Sequence, residues 1–188
     1  NIIKKPIKPI VIKKLDTIKR NKDRKILVDS RNKKTEEFVV KKGEYIAFPF
    51  SNHEDQPMYI HSIDLKVAVK NTNIRGTLYY TKKNPALRKF MLDKTNWIDV
   101  RHSIRFFSYN SAVLKSDGAV IHIELKEIMI EARGGDFYFI FEIDGEKETD
   151  NVTFFSCEKT NNLKNTLTYD KKIWKNLQSK TIYYVIYG

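Results

Sequence analysis

Val120–Asp144, VIHIELKEIMIEARGGDFYFIFEID, alternates apolar and polar residues on both sides of Gly134-Gly135. Period-two alternation of β-branched and aromatic residues is typical of half-buried β-strands. A short link that contains glycine between two such runs predicts an antiparallel hairpin. We therefore predict that Val120–Asp144 is the central hairpin of a β-sandwich.

The rest of the chain adds further strands on both sides of this hairpin. Counting the two strands of the hairpin, the pattern predicts eight strands, at 38–48, 58–70, 75–82, 103–114, 120–133, 136–144, 152–157 and 181–187. Eight strands fit an all-β, antiparallel jelly-roll β-sandwich of two four-stranded sheets. An immunoglobulin-like sandwich is the competing architecture, because a strand count does not define a topology.

Two short helical inserts are predicted between the strands. Asn84-Pro85 is a helix-start signal, and Leu87, Phe90 and Met91 follow it at helical spacing, so a helix through about Asp93 is expected to contact the core. The second insert spans 170–177, with Ile173, Trp174 and Leu177 on its apolar side. Both inserts are too short to alter the all-β class.

Size and composition indicate one folded domain. The 188 residues, 41% of them hydrophobic, suffice to bury a core. The single cysteine, Cys157, excludes an internal disulfide framework and favours a reducing compartment, which indicates an intracellular protein or a particle assembled inside a cell. No apolar run approaches the roughly 20 residues of a membrane-spanning helix, so no membrane partner is expected.

The net charge of +12 lies mainly at the N-terminus. Residues 1–34 contain 13 Lys and Arg and three Asp, whereas the body at 35–188 is nearly balanced. Pro6 and Pro9 favour an extended arm over a helix. Such an arm neutralises phosphates without reading sequence. The predicted nucleic-acid contacts are Lys4, Lys5, Lys8, Lys13, Lys14, Lys19, Arg20, Lys22, Arg24 and Lys25.

Two groups of residues suggest a metal-dependent enzyme, although we predict neither a catalytic residue nor a metal or other cofactor. Asp117, Glu124 and Lys126 are similar to the acidic and lysine cluster of restriction-like nucleases, but they lie in continuous strand alternation that indicates scaffold. His53 and Asp55, with His102 or His122 as a third ligand, match a facial triad of β-helix oxygenases. The polar sequence around His53 favours a solvated loop.

A basic, proline-punctuated N-terminal arm followed by eight strands with short helical inserts resembles the layout of small spherical-virus jelly-roll capsid proteins. The resemblance covers the whole chain at the level of architecture. It implies self-assembly into a homo-oligomeric shell, with the arm facing packaged nucleic acid or threading between subunits of a virion. The alternatives are a nucleic-acid-binding β-sandwich domain of a larger protein, a metalloenzyme or nuclease of the kinds just described, and a secreted ligand-binding module.

Overall fold

A computed structural model describes residues 24–109, 111–144, 147–159 and 163–188. Within these ranges the chain forms thirteen strands and two 3-10 helices, at Phe106–Tyr109 and Ser111–Leu114. The all-β prediction is therefore confirmed. The strands are β1 (Ile26–Asp29), β2 (Lys34–Lys41), β3 (Tyr45–Asn52), β4 (Met58–Val69), β5 (Arg75–Thr81), β6 (Ile98–Arg105), β7 (Ala119–Ile130), β8 (Gly135–Ile143), β9 (Asn151–Glu158), β10 (Leu167–Tyr169), β11 (Trp174–Asn176), β12 (Lys180–Ile182) and β13 (Tyr184–Tyr187).

The strands form two antiparallel sheets. Sheet 1 has the order β1-β13-β4-β9-β12, with β2 joined to β9 and β7 joined to β4. Sheet 2 has the order β11-β10-β3-β8-β5-β6. Strands β2 to β9 pair as a nested set: β2 with β9, β3 with β8, β4 with β7, and β5 with β6. The two halves of this region thus run antiparallel to each other, like one long hairpin folded over into two sheets.

Aromatic side chains fill the space between the sheets. Phe48 on sheet 2 packs on Tyr184 of sheet 1 with ring centroids 4.9 Å apart, and Phe141 meets Phe154 at 5.0 Å. The Tyr184 hydroxyl donates a hydrogen bond of 2.8 Å to the Pro49 carbonyl, which satisfies its polar atom inside the core. The alternating residues that the sequence singles out thus supply a continuous core shared by both sheets.

A second apolar layer covers the outer face of sheet 2. It contains Tyr45, Tyr138, Tyr169 and Trp174, and Trp97 packs against it from the β5–β6 loop. The β5–β6 loop and the aromatic side chains of sheet 2 itself therefore shield the outer face of this sheet from solvent. The outer face of sheet 1 carries polar side chains at its centre.

The predicted hairpin at Val120–Asp144 is wrong in its pairing, although both of its strands form. Strand β7 pairs with β4 in sheet 1, whereas β8 lies between β3 and β5 in sheet 2. The Gly134-Gly135 link carries the chain from one sheet to the other, and Gly135 has a φ of 79° there. Alternation identifies the buried face of a strand but not its neighbour, and both edges of β8 are already occupied.

Three other predicted strands differ from the structure. The strand at 38–48 divides at Lys42-Gly43 into β2 and β3, which lie in different sheets. The strand at 103–114 ends at Arg105, and its second half forms the 3-10 helices. The strand at 181–187 is interrupted at Tyr183, so β12 pairs with β9 while β13 pairs with β4. The eight-strand count therefore merges some strands and misses β1, β10 and β11.

Neither predicted helical insert forms. Residues 84–93 make successive turns, in which the amide of Leu87 donates to the Asn84 carbonyl at 3.1 Å and that of Met91 to the Arg88 carbonyl at 2.9 Å. Part of the second insert, at 174–176, is strand β11. Short helices depend on tertiary packing for stability, and here the three apolar residues of the first insert face solvent instead of the core.

Candidate functional site

The described chain begins at the end of the predicted basic arm. Residues 1–23 lie outside the described residues, and with them eight predicted nucleic-acid contacts, Lys4, Lys5, Lys8, Lys13, Lys14, Lys19, Arg20 and Lys22. Lys25 exchanges two backbone hydrogen bonds with Gly188, and β1 then pairs with β13. Residues 24–33, assigned to the arm by composition, therefore contribute a strand to sheet 1.

Arg24 fixes this end of the arm to the outer face of sheet 1. Its Nη1 donates a 2.8 Å hydrogen bond to Ser62 Oγ and lies 3.1 Å from Glu124 Oε2. Ser62 on β4 is directly opposite Glu124 on β7, so one guanidinium bridges two neighbouring strands. Of the two predicted nucleic-acid contacts in the described chain, Arg24 is engaged with the sandwich, and Lys25 is exposed.

His122 lies between two carboxylates beside Arg24. Its Nδ1 is 2.6 Å from Asp64 Oδ1, and its Nε2 is 3.3 Å from Glu124 Oε1. The Tyr187 hydroxyl donates to the other Asp64 oxygen at 2.8 Å. These side chains join β4, β7, β13 and the end of the arm in one network, which we call the arm anchor: Arg24, Ser62, Asp64, His122, Glu124 and Tyr187.

The charges of the arm anchor shift the pKa values of its members. The hydrogen bond with Asp64 raises the pKa of His122 against the opposing effect of burial. Burial raises the pKa of Glu124, but hydrogen bonds and charge from Arg24 and His122 outweigh it and hold that pKa below its ordinary value. Burial, together with the hydrogen bond to Asp64, raises the pKa of Tyr187 to about 12. The network therefore favours the protonated form of His122 and the ionised form of Glu124.

We expect the arm anchor to stabilise the fold more below neutral pH than above it. A raised His122 pKa gives stability that is fully present below the unfolded value of about 6.5 and is lost as the pH rises through the folded-state pKa. Replacing His122→Gln should therefore cost roughly 1 kcal/mol near pH 5.5 and much less near pH 8.5. Urea unfolding of both proteins at the two pH values measures this difference.

The control for this experiment is His53→Gln, a substitution in an exposed loop. It should change the free energy of unfolding by less than about 0.5 kcal/mol at both pH values. An equal loss for His122→Gln at both pH values would show that the imidazole acts through packing and not through its charge.

The nuclease-like residues do not form one cluster. Glu124 belongs to the arm anchor, and Asp117 lies in the turn before β7. Between the pairs Ser62–Glu124 and Ile60–Ile128, three residues of β7, including Lys126, oppose one residue of β4. Leu125 packs against the core between Glu124 and Lys126, so both of these face outward, but Lys126 lies at the bulge and Asp117 lies before the strand begins. Within the described ranges, no group of three or more His, Cys, Asp or Glu side chains is placed to hold a metal ion.

The facial-triad candidates are also dispersed. His53 and Asp55 lie in the exposed loop between β3 and β4, and Asp55 Oδ1 accepts a 2.6 Å hydrogen bond from Arg133 Nε. His122 is held in the arm anchor, and the side chain of His102 is outside the described part of the chain. The solvated-loop interpretation agrees with this placement for residues 53–57, whereas Ser51 and Asn52 end β3 and Asn52 is buried.

Sequence reasoning missed three members of the arm anchor, Ser62, Asp64 and Tyr187. Alternation along β4 does indicate that Ser62 and Asp64 share its outer face. Asp64 lies opposite His122 only because β4 and β7 pair in one particular register. Tyr187 joins them through the pairing of β13 with β4, which no local pattern in the sequence specifies.

Comparison with models of known protein families finds no match, and a search of curated proteins finds no relative. In the part of the chain that the structure describes, no helix is both long and apolar enough to cross a membrane. Functional inference therefore depends on the strand pairing, the charge of the arm and the arm anchor.

Proposed function

We propose that this chain is a self-assembling structural protein, a jelly-roll capsid or coat protein whose basic arm contacts packaged nucleic acid or neighbouring subunits. The observation that carries the proposal is the nested pairing of β2 to β9, joined at its N-terminal end to a segment that holds most of the net positive charge. In this proposal the protein resides in a virion or in a reducing intracellular compartment.

The strand pairing supports a jelly roll over an immunoglobulin-like sandwich. A jelly roll is an eight-stranded double sheet of two Greek keys. Its two four-stranded sheets would be β2-β9-β4-β7 and β3-β8-β5-β6, and β1 and β10 to β13 would extend them. An immunoglobulin-like sandwich instead pairs its first two strands with each other in one sheet. Here β2 and β3 lie in different sheets.

The filled interior supports a structural role over ligand binding or catalysis inside the sandwich. Among the described residues, seven fully buried aromatic side chains occupy the main core, those of Phe48, Phe106, Phe137, Phe139, Phe141, Phe154 and Tyr184. Burying such side chains stabilises a fold by roughly 1.5–3 kcal/mol each. A ligand-binding or active site inside the sandwich would need an internal cavity in place of such side chains.

The arm supports a polyanion partner. Residues 1–23 contain eight Lys and Arg and two Asp. Cations on a chain segment release counterions from nucleic acid and bind it without sequence preference. The arm anchor binds Arg24, the residue that follows this segment, to β4 and β7 on the outer face of sheet 1.

We expect the purified full chain to form large homo-oligomers or particles, with nucleic acid bound when it is isolated from cells. Apolar residues on the surface of the sandwich and a basic arm both favour association when phosphates neutralise the arm. Light scattering coupled to size-exclusion chromatography measures the mass, and the ratio of absorbance at 260 to 280 nm measures the nucleic acid.

Nuclease treatment followed by re-addition of nucleic acid is the control for this measurement. Particles that dissociate and then re-form would support arm-driven assembly. A strictly monomeric protein with its arm intact would contradict the proposal. A monomer that still binds nucleic acid would behave as the alternative, a nucleic-acid-binding β-sandwich domain of a larger protein.

A further inference from the structure

Three large apolar side chains project from the loop between β5 and β6, residues 82–97. Leu87 is 78% exposed, Phe90 is 73% exposed and Met91 is 52% exposed. Leu87 and Met91 line one surface groove together with Pro85 and Trp97. Clustered apolar side chains in contact with solvent are typical of interaction surfaces.

The base of this loop is fastened to sheet 2. Lys94 Nζ lies 2.6 Å from Glu142 Oε1, and the amide of Trp174 donates a 3.0 Å hydrogen bond to the Lys89 carbonyl. The Lys94 ammonium group also lies 4.9 to 5.8 Å from three aromatic ring centroids, those of Tyr45, Tyr79 and Trp97. These contacts restrict the conformation of the loop while its apolar side chains point into solvent. The restriction reduces the conformational entropy that the loop loses when it binds a partner.

Cations are interleaved with the apolar side chains. The loop contains five basic residues and one acidic residue. Arg88 and Lys89 separate Leu87 from Phe90 in the sequence, and both are exposed. Lys89 Nζ lies 5.9 Å from the centroid of the Phe90 ring. The loop therefore presents apolar groups and positive charges on one short segment.

We propose that the β5–β6 loop is a docking surface for an anionic phospholipid membrane. Such a membrane accepts apolar side chains below its headgroups while its phosphates and carboxylates attract Arg and Lys. The expectation of no membrane partner depended on the lack of a spanning segment, and peripheral docking needs none. This inference is independent of the shell function.

Lipid fits this loop better than two other partners. Nucleic acid would attract Arg88 and Lys89 and stack on Phe90, but it offers no apolar medium for Leu87 and Met91. A second copy of this chain could cover the apolar side chains, but its body at 35–188 is nearly balanced in charge and so offers no excess of acidic groups to the cations of the loop. An anionic bilayer accommodates both features.

Flotation of the full chain with lipid vesicles tests the apolar part of the proposal. The triple variant Leu87→Ser/Phe90→Ser/Met91→Ser should bind vesicles of phosphatidylcholine and phosphatidylserine about tenfold more weakly than the unmodified chain. The matched control is Val39→Ser/Val120→Ser/Met129→Ser, which changes three exposed apolar residues on sheet 1. It should retain binding to within about twofold, because the basic arm is unchanged in both variants. Equal binding by the two triple variants would overturn the proposal.

Vesicles that differ only in charge test the basic part. Arg88→Gln/Lys89→Gln should weaken binding to vesicles with phosphatidylserine by about tenfold and leave the weaker binding to pure phosphatidylcholine unchanged. The control Lys115→Gln/Lys126→Gln removes the same charge from other exposed positions. A loss as large in the control would mean that net charge alone binds the vesicles, and the docking surface would be rejected.

A probe on the loop reports insertion directly. The single native cysteine, Cys157, is buried, so a Leu87→Cys variant can be labelled with an environment-sensitive dye. Its emission should shift to the blue with phosphatidylserine vesicles, and a Val39→Cys label should not shift. An unshifted loop label would overturn the proposal.

The loop variants give a further test. Variants that keep vesicle binding but lose nucleic-acid binding or assembly would also overturn the proposal, since the loop would then serve one of those partners.

Discussion

Removing residues 1–23 should lower nucleic-acid affinity by roughly 100-fold or more while the sandwich remains folded. The deleted segment holds eight Lys and Arg and two Asp, so it carries half of the chain's net charge of +12. Each phosphate contact contributes close to one unit to the slope of log affinity against log salt, so the full chain should show a steep slope and the truncated chain a shallow one. Fluorescence anisotropy with single-stranded and duplex oligonucleotides of unrelated sequence measures both quantities.

The deletion should end at residue 23 because residues 24–33 belong to the sandwich. Ser30 is buried, and its Oγ lies 2.8 and 2.9 Å from the carbonyl oxygens of Ile182 and Tyr184, so removing residues 1–34 would confuse binding with unfolding. The matched control keeps the chain length and replaces the eight basic residues of 1–23 by Gln. It should lose affinity as the deletion does. Undiminished binding by the truncated body would place the nucleic-acid site on a sheet surface.

Replacing Gly118→Ala should destabilise the fold by about 3 kcal/mol or more. Gly118 has a φ of 66°, and a Cβ at this position would lie 2.5 Å from both the Val67 carbonyl oxygen and the Phe155 ring. The Val67 oxygen is backbone of β4 beside its pairing with Ala119, so it cannot move without disturbing the β4–β7 pair. Urea unfolding followed by circular dichroism measures the loss.

Gly135→Ala separates backbone strain from steric overlap. Gly135 has a φ of 79°, but a Cβ built there meets nothing within 4 Å. This variant should lose only about 1 kcal/mol, the cost of the left-handed conformation alone. If both alanine variants were equally stable, the close approach of Gly118 to β4 would not be a constraint on this fold.

Part of the fold could be predicted from local patterns. Five of the eight predicted strands coincide with single strands and two more with strands broken once, because the pattern of apolar residues reports which side chains are buried. The helix at 84–93 was wrong because Asn84-Pro85 also begins turns, and Lys94 and Trp97 fasten the segment to sheet 2 as a loop. Nothing local in Leu87, Phe90 and Met91 distinguishes a core contact from an exposed surface.

The candidate site was only partly predictable, for a related reason. The excess of Lys and Arg in residues 1–34 is a property of composition and can be read directly. The arm anchor needs Arg24, Asp64, His122 and Tyr187 to meet, and these residues come from distant parts of the chain. His122 and Glu124 are neighbours on β7 and look like an active-site motif, but their partners make them a structural charge network.

The stretch Val120–Asp144 shows most clearly which features the sequence determines and which features depend on the tertiary structure. Its residue pattern alone determined two strands, the core-facing side of β7 and the glycine link between them, because side chains on any strand alternate with a period of two. The half-buried prediction was wrong for β8, which is buried on both faces. Only the tertiary structure decided that β7 joins sheet 1 and β8 joins sheet 2. Pairing depends on which strand edges remain free after the whole chain has folded, and β3 and β5 already occupy both edges of β8.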